Sequence, residues 1–351
     1  MALIVIKSGQ MAGRVRASFN RKTGRRRLLG TLLLVLGATL SLAEAELREA
    51  FVDPTLTDPD IRPLTELPGA AARRLDHFVA IDSSRQNGFL YLHLVGSGGL
   101  PENNLIFARH AAARGFHVVS LAYPNWPAVR DLTGQSGDGA APGAVREERL
   151  FGNDASPLVD VDAANSVINR LVRLIEYLDN EQPDEGWGQF LSNGAPRWRR
   201  ILIGGHSQGA GHAAYLSQEF SLAGVILLGG PGDFVAGIGL ADWLFRSSAT
   251  PPERRFSFVH ELDPSFLAFQ IAQAALGLAD FGPPQDVDTT NPDDWTSHRL
   301  ISTRVEVPND NYHGAVVVDE QLPLDGNGKP VYAPAWDYLL GMVRFADSFG
   351  D

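Results

Sequence analysis

The chain has 351 residues, of which 44% are hydrophobic and 20% are charged, a composition typical of folded globular proteins rather than disordered or fibrous ones. It contains no cysteine, which excludes disulfides, thiolate nucleophiles and cysteine-ligated metal sites. The formal net charge of −11 argues against nucleic acid as a partner, since phosphate binding needs a basic surface.

The first 45 residues have the order of an export signal. Eight basic residues precede position 28, an apolar run covers 28–43, and the small-x-small triplet Ala43-Glu44-Ala45 follows. This order predicts a signal peptide at 1–45 that is cleaved near Ala45. The apolar run is short for a membrane span, so an uncleaved anchor is the less favoured alternative, and no stable membrane insertion is expected after cleavage.

The route of export stays open. Three arginines at 25–27 precede two leucines, which fits the twin-arginine pattern, but arginine is also common in general secretory signals. Either route predicts a periplasmic or secreted bacterial protein. Cleavage would remove eight of the 30 basic residues and leave a strongly acidic chain, which is expected to repel anionic membranes.

From residue 46 onward, strand and helix patterns alternate. We predict an irregular lead-in, rich in proline and charge, at 46–75 and one domain at 76–351. Apolar runs predict strands at 78–81, 88–95, 116–122, 200–203, 224–228, 256–259 and 300–307. Helical spacing predicts helices at 104–114, 161–178, 208–220, 264–276 and 335–349.

The alternation predicts an α/β fold with a mostly parallel central sheet and helices on both of its faces. Residues 123–160 show neither period and are predicted to be a long irregular insert. Segments of this length inside a domain are usually functional, so the insert is a candidate cap over a site.

A G-x-S-x-G motif at 205–209 lies between the predicted strand 200–203 and the predicted helix 208–220. A strand-to-helix turn of this kind lifts its serine above the sheet, and the flanking glycines leave room for neighbouring backbone. The N-terminus of the helix adds a partial positive charge and free N–H groups. This context predicts that Ser207 is a nucleophile.

A nucleophilic serine needs a general base, and in sites of this kind the chain order is serine, acid, histidine. His313 follows the predicted strand 300–307, and the carboxyl ends of parallel strands are where such sheets place their chemistry. His298 precedes that strand and is the alternative base. We therefore predict that His313 accepts the serine proton.

The carboxylate that orients the base has three candidates. Asp263 and Asp233 each follow a predicted strand, and Asp263 is favoured because it lies one strand nearer to His313. Asp233 and Glu261 remain as alternative acids.

Backbone N–H groups must stabilise the negative oxygen of a tetrahedral intermediate. One is expected from Gln208, directly after the nucleophile. The other is expected from the glycine-rich loop after the predicted strand 88–95, at Ser97 or Gly98.

These features resemble the α/β-hydrolase superfamily over roughly residues 76–349. Three stretches, at 206–212, 297–300 and 313–319, are similar to a group of exported, largely uncharacterised bacterial α/β-hydrolase family proteins. The resemblance implies a serine hydrolase and implies no particular substrate. The insert at 123–160 departs from the smallest members of the superfamily.

The sequence predicts a serine hydrolase that cleaves small or polymeric carboxylic esters through an acyl-enzyme. A peptidase, polyester depolymerase or acyltransferase would use the same three residues, and a non-catalytic binding protein is the alternative from another class. No metal or cofactor is expected, since the sequence has neither H-E-x-x-H nor G-x-x-x-x-G-K-[ST].

Overall fold

A nine-stranded sheet organises the chain in the computed structural model, which describes residues 47–295 and 299–342. Its order across the sheet is β1-β2-β4-β3-β5-β6-β7-β9-β8. Strand β2 is antiparallel to β1 and β4, and all other neighbours are parallel. The strands are β1 Leu47–Val52, β2 His77–Asp82, β3 Leu90–Leu94, β4 His117–Leu121, β5 Ile201–His206, β6 Gly224–Leu228, β7 Arg255–His260, β8 Gln285–Asp286 and β9 Leu300–Thr303.

Helices cover both faces of this sheet. They are α1 Pro54–Thr57, α2 Leu105–Ala113, α3 Val129–Thr133, α4 Ala141–Phe151, α5 Val167–Glu181, α6 Gln208–Glu219, α7 Phe266–Ala275 and α8 Ala333–Gly341. Side chains of α5 and α6 pack into one apolar cluster, and those of α2 and α8 pack into another. With the observed strand order, this is the α/β-hydrolase fold, as predicted. No helix in the described ranges has the length and apolarity to cross a bilayer.

The central strand β3 shows how the sheet separates the two clusters. Leu90, Leu92 and Leu94 join the cluster of α5 and α6, whereas Tyr91 joins the cluster of α2 and α8. Successive side chains of a strand point to opposite faces, and every residue of β3 is buried. A strand buried on both faces reads as a continuous apolar run, which is why the sequence predicted it.

The parallel direction of β3, β5, β7 and β9 brings their carboxyl ends to one edge of the sheet. The loops that follow these strands carry the glycine-rich segment 96–99, Ser207, Asp263 and His313. All the residues predicted to share a site therefore leave the sheet at the same edge.

The lead-in at 46–75 is not irregular throughout, contrary to the prediction. Residues 47–52 form β1, which pairs with β2, and residues 54–57 form α1. Strand β1 has one neighbour in the sheet, and the first three of its side chains are exposed. An edge strand of this kind lacks the apolar run on which the prediction of strands depended.

The insert at 123–160 also contains helices, where the sequence predicted an irregular segment. Helix α4 begins with Pro142 and Gly143 in its first turn, a position that tolerates proline. Its buried face includes Arg146, Glu148 and Arg149, so charged residues occupy positions where helical periodicity is read from apolar ones. Because of these two features, helix α4 was not predicted from the sequence.

Six histidines are buried among the described residues, namely His77, His93, His117, His206, His212 and His260. Burial lowers the pKa of His93 and His206 to about 3 and also lowers the pKa of the other four. The folded chain therefore keeps these rings neutral at pH values where the unfolded chain protonates them.

We expect stability to decrease between pH 7.5 and 5.5, since the unfolded chain binds protons near the ordinary histidine pKa of about 6.5 and the folded chain does not. A histidine whose folded pKa is about 3, as for His93, contributes roughly 1 kcal/mol over this window. In His93→Asn, the free energy of unfolding, measured in urea, should therefore change by about 1 kcal/mol less across the window.

The matched control for this measurement is Tyr91→Phe. It removes the hydroxyl that bonds His93 Nδ1 at 2.9 Å and keeps the imidazole, so its pH dependence should equal that of the wild type. The same pH dependence in His93→Asn and in the wild type would contradict the expectation.

Candidate active site

Ser207 occupies the sharp turn between β5 and α6. Its backbone has φ 55° and ψ −115°, and its N–H donates to the Leu228 carbonyl at 2.9 Å. A Cβ at Gly205 would lie 2.2 Å from the Gly209 carbonyl oxygen, and one at Gly209 would lie 2.0 Å from the Leu94 carbonyl oxygen. Both motif glycines are therefore required by close backbone crossings on either side of the serine.

Three predicted residues form a continuous hydrogen-bonded relay. Ser207 Oγ lies 2.8 Å from His313 Nε2, and His313 Nδ1 lies 2.7 Å from Asp263 Oδ2. Because a carboxylate can only accept, Nδ1–H donates to Asp263 and Nε2 is left to accept the serine hydroxyl proton. This tautomer is the one that a general base for Ser207 requires.

Asp263 is held in its charged form. Burial of the carboxyl group acts to raise its pKa, but the hydrogen bond and charge of His313 and the Ser265 N–H, which donates at 2.7 Å, oppose it. The net effect is a pKa below the usual value for aspartate. The carboxylate therefore remains ionised at neutral pH beside the imidazole.

The alternative acids are bonded elsewhere. Asp233 forms a bidentate pair with the buried Arg146, with both N···O distances at 2.7 Å. Glu261 pairs with Arg304 on the surface. Neither carboxylate is bonded to an imidazole, unlike Asp263. The alternative base, His298, lies outside the described residues.

The backbone of His313 is anchored by a residue that the sequence analysis did not assign. His206 Nε2 donates to the His313 carbonyl at 3.0 Å, and the two rings lie 5.1 Å apart between centroids. Burial keeps the His206 ring neutral, with its pKa lowered to about 3. His206 fills a variable position of the G-x-S-x-G motif, so the motif itself carried no signal for this role.

The stretch 313–319 is anchored at its other end by Asp319. Its carboxylate accepts from the backbone N–H groups of Leu105 and Ile106 at 2.9 and 3.1 Å, at the start of α2. Carboxylates are favoured at helix N-termini, although burial here raises the pKa of Asp319 to about 6. The loop that carries His313 is thus tied to the helix that follows the glycine-rich segment.

That glycine-rich segment passes close to Ser207. A Cβ at Gly96 would lie 2.9 Å from His206 Nδ1 and 3.3 Å from Ser207 Cβ. The absence of a side chain at Gly96 therefore lets the loop backbone lie against the serine.

The two predicted loop donors differ. The Gly98 N–H donates to Asn125 Oδ1 at 3.0 Å and is already engaged, contrary to the expectation that it could stabilise an oxyanion. The backbone N–H groups of Ser97 and Gln208 have no hydrogen-bond partner within residues 47–295 and 299–342. Ser97 and Gln208 are therefore the remaining candidate pair.

The insert at 123–160 is bonded to the turn that carries Ser207. Gln208 Oε1 accepts from the Val129 N–H at 2.7 Å and from Arg149 at 3.0 Å, and Gln208 Nε2 donates to the Asn125 carbonyl at 2.9 Å. Arg146 donates to the Gln208 carbonyl at 2.9 Å. Sequence reasoning missed these contacts because it treated the insert as irregular.

A cavity of about 740 Å³ opens above Ser207 and His313. Its wall mixes apolar and charged side chains, which include Trp126, Val129, Phe269, Val318, Arg130, Asp131 and Glu320. Among the described residues, no group of three or more histidine, aspartate or glutamate side chains is arranged to hold a metal ion.

No protein-family model matches the sequence, and no curated protein sequence matches it. Three similar solved structures are esterase B from Lactobacillus rhamnosis with a tributyrin phosphonate inhibitor, a bacterial heroin esterase and a hyperthermophilic esterase from Pyrobaculum calidifontis. They are 13%, 15% and 12% identical to this chain, with TM-scores of 0.41, 0.39 and 0.39.

The matches cover 86%, 88% and 86% of this chain and 85%, 86% and 85% of the respective structures. At these identities and TM-scores, the likeness does not bear on what this chain acts on.

Proposed function

We propose that this protein is a serine hydrolase that cleaves carboxylic esters through a covalent acyl-enzyme intermediate. The observation that carries the proposal is the relay from the Ser207 hydroxyl through His313 to the buried Asp263 carboxylate. Such a relay activates a hydroxyl that is otherwise a weak nucleophile. The neighbouring Ser97 and Gln208 amides would supply the charge stabilisation that acyl transfer needs.

In the acylation step, Ser207 Oγ attacks the ester carbonyl carbon while its proton passes to His313 Nε2. The carbonyl oxygen becomes negative and accepts hydrogen bonds from the Gln208 and Ser97 amides. Asp263 accepts a hydrogen bond from Nδ1–H, which leaves that proton on the ring, and its negative charge stabilises the imidazolium. When the intermediate collapses, the ester C–O bond breaks and His313 returns its proton to the leaving alcohol.

In the deacylation step, a water molecule takes the place of the alcohol. His313 accepts a proton from water as the oxygen attacks the acyl carbon, and the second intermediate expels Ser207 Oγ, which regains the proton. The His313 side chain is 37% exposed, so water reaches it readily.

We further propose that the protein is exported, as the resemblance to exported bacterial hydrolases and the order of residues 1–45 suggest. Expression of the full chain in a bacterial host should give a product in the periplasm or medium whose N-terminus begins near residue 46. Mass spectrometry of the purified product checks this. A chain that keeps residues 1–45 in the cytoplasm would overturn it.

Ser207→Ala should abolish hydrolysis of p-nitrophenyl esters, tested from acetate to laurate. Removal of a triad nucleophile lowers kcat by roughly 10⁴- to 10⁶-fold. The matched control is Ser192→Ala, an exposed serine of a short hairpin, which should leave kcat unchanged. Equal activity in the wild type and Ser207→Ala would contradict the proposed nucleophile.

Asp263→Asn should lower kcat by about 10⁴-fold, because an amide cannot stabilise the imidazolium and favours the wrong tautomer of His313. Glu261→Gln, two residues away, should stay within about threefold of the wild type, since this carboxylate pairs with Arg304. Steady-state kinetics on the preferred ester measures both. A larger loss in Glu261→Gln than in Asp263→Asn would reassign the acid.

A further inference from the structure

Asn125 lies between the two backbone segments to which the proposed function assigns the oxyanion. The residue is fully buried in the loop after β4. Its Oδ1 accepts from the Gly98 N–H at 3.0 Å, and its Nδ2 donates to the Gly99 carbonyl at 2.9 Å. One side-chain amide thereby fixes two peptide units of the loop that carries Ser97, the unit that joins Ser97 to Gly98 and the unit that joins Gly99 to Leu100.

The backbone of the same residue reaches the nucleophile's helix. The Asn125 carbonyl accepts from Gln208 Nε2 at 2.9 Å. Gln208 Oε1 is also engaged, by the Val129 N–H and by Arg149, so rotation of this amide would break three hydrogen bonds. Asn125 is therefore bonded both to the loop beside Ser97 and to the residue directly after the nucleophile.

We propose that Asn125 is a positioning residue that sets the separation of the Ser97 and Gln208 backbone N–H groups, and thereby the stabilisation of the oxyanion. The inference rests on the proposed function, since it needs attack by Ser207 on a carbonyl or an equivalent centre. Oxyanion donors act at about 2.7–3.1 Å from the oxygen, so small displacements of either amide weaken them. Because this interaction forms in the transition state, its loss lowers kcat more than it raises KM.

Asn125→Asp tests this with a change of one atom. The carboxylate form still accepts from the Gly98 N–H, but its second oxygen faces the Gly99 carbonyl with no proton to donate. The protonated form restores a donor at that position, and burial raises the pKa of a carboxyl group toward the accessible range. The variant should therefore recover activity relative to the wild type as the pH is lowered.

The expected result at pH 8 is a kcat about 10- to 100-fold below the wild type, with KM within about twofold. The ratio of variant to wild-type kcat should rise by about tenfold between pH 8 and pH 6. Asn169→Asp is the matched control, because its Nδ2 also donates to a carbonyl, that of Ala164 at 2.8 Å, away from the cavity. Its kcat ratio to the wild type should not change with pH.

Gln208→Glu applies the same test from the other end and replaces Asn125→Asp if that variant does not fold. Its carboxylate would lack the proton donated to the Asn125 carbonyl, and Arg149, which donates to Oε1 at 3.0 Å, would keep it ionised, so kcat should fall at both pH 8 and pH 6. A kcat within twofold of the wild type at pH 8 in either variant, or a loss in Asn125→Asp that does not change with pH, would overturn the positioning role.

Labelling of Ser207 by a fluorophosphonate separates failure of this inference from failure of the proposed function. The phosphoryl oxygen occupies the same donors as an ester oxyanion, so the labelling rate of Asn125→Asp should follow the same pH-dependent loss. A wild type that labels but cleaves no ester would overturn the ester activity, and the labelling rates would then decide the role of Asn125. A wild type that neither labels nor cleaves would overturn both.

Discussion

The backbone conformation of Ser207 is the constraint on which the rest of the site depends. A φ of 55° places a non-glycine residue in the left-handed region, at a cost of the order of 1–3 kcal/mol. The chain holds this conformation because Gly205 and Gly209 allow the start of α6 to cross β5 and the end of β3 at backbone contact. Ser207, the Gln208 amide and the glycine-rich loop are all placed by this one crossing.

Hydrogen bonds, several of them from charged side chains, connect the insert at 123–160 to that crossing. Arg146 is 1% exposed, and its guanidinium is satisfied by Asp233 and by the Gln208 carbonyl. A buried charge is costly unless its donors are matched, so displacement of α4 would leave an unpaired charge in the interior. An apolar contact would allow α4 to slide, whereas these directional bonds hold the insert in one position against the turn.

The sequence predicted those elements and residues whose position follows from a backbone rule. Buried parallel strands appear as apolar runs, the position of Ser207 in a strand-to-helix turn follows from glycine spacing, and the positions of Asp263 and His313 follow from strand ends. Strand β1 and helix α4 were not predicted, because an edge strand and a helix that buries charged side chains lack the expected apolar period. The sequence predicted no role for Asn125 or His206, because they bond to backbone atoms distant in the chain and such contacts leave no pattern in the sequence.

The sequence left three candidate acids near the edge of the sheet, and the partners of their carboxylates in the structure distinguish them. Arginine keeps its charge at every accessible pH, so the two carboxylates that pair with it, those of Asp233 and Glu261, are already neutralised. Within the described ranges, Asp263 pairs with no arginine or lysine, and its partner is the His313 ring. Its charge is therefore available to stabilise a proton that arrives on His313, and the pairing of the other two with arginine is what leaves this one carboxylate to the histidine.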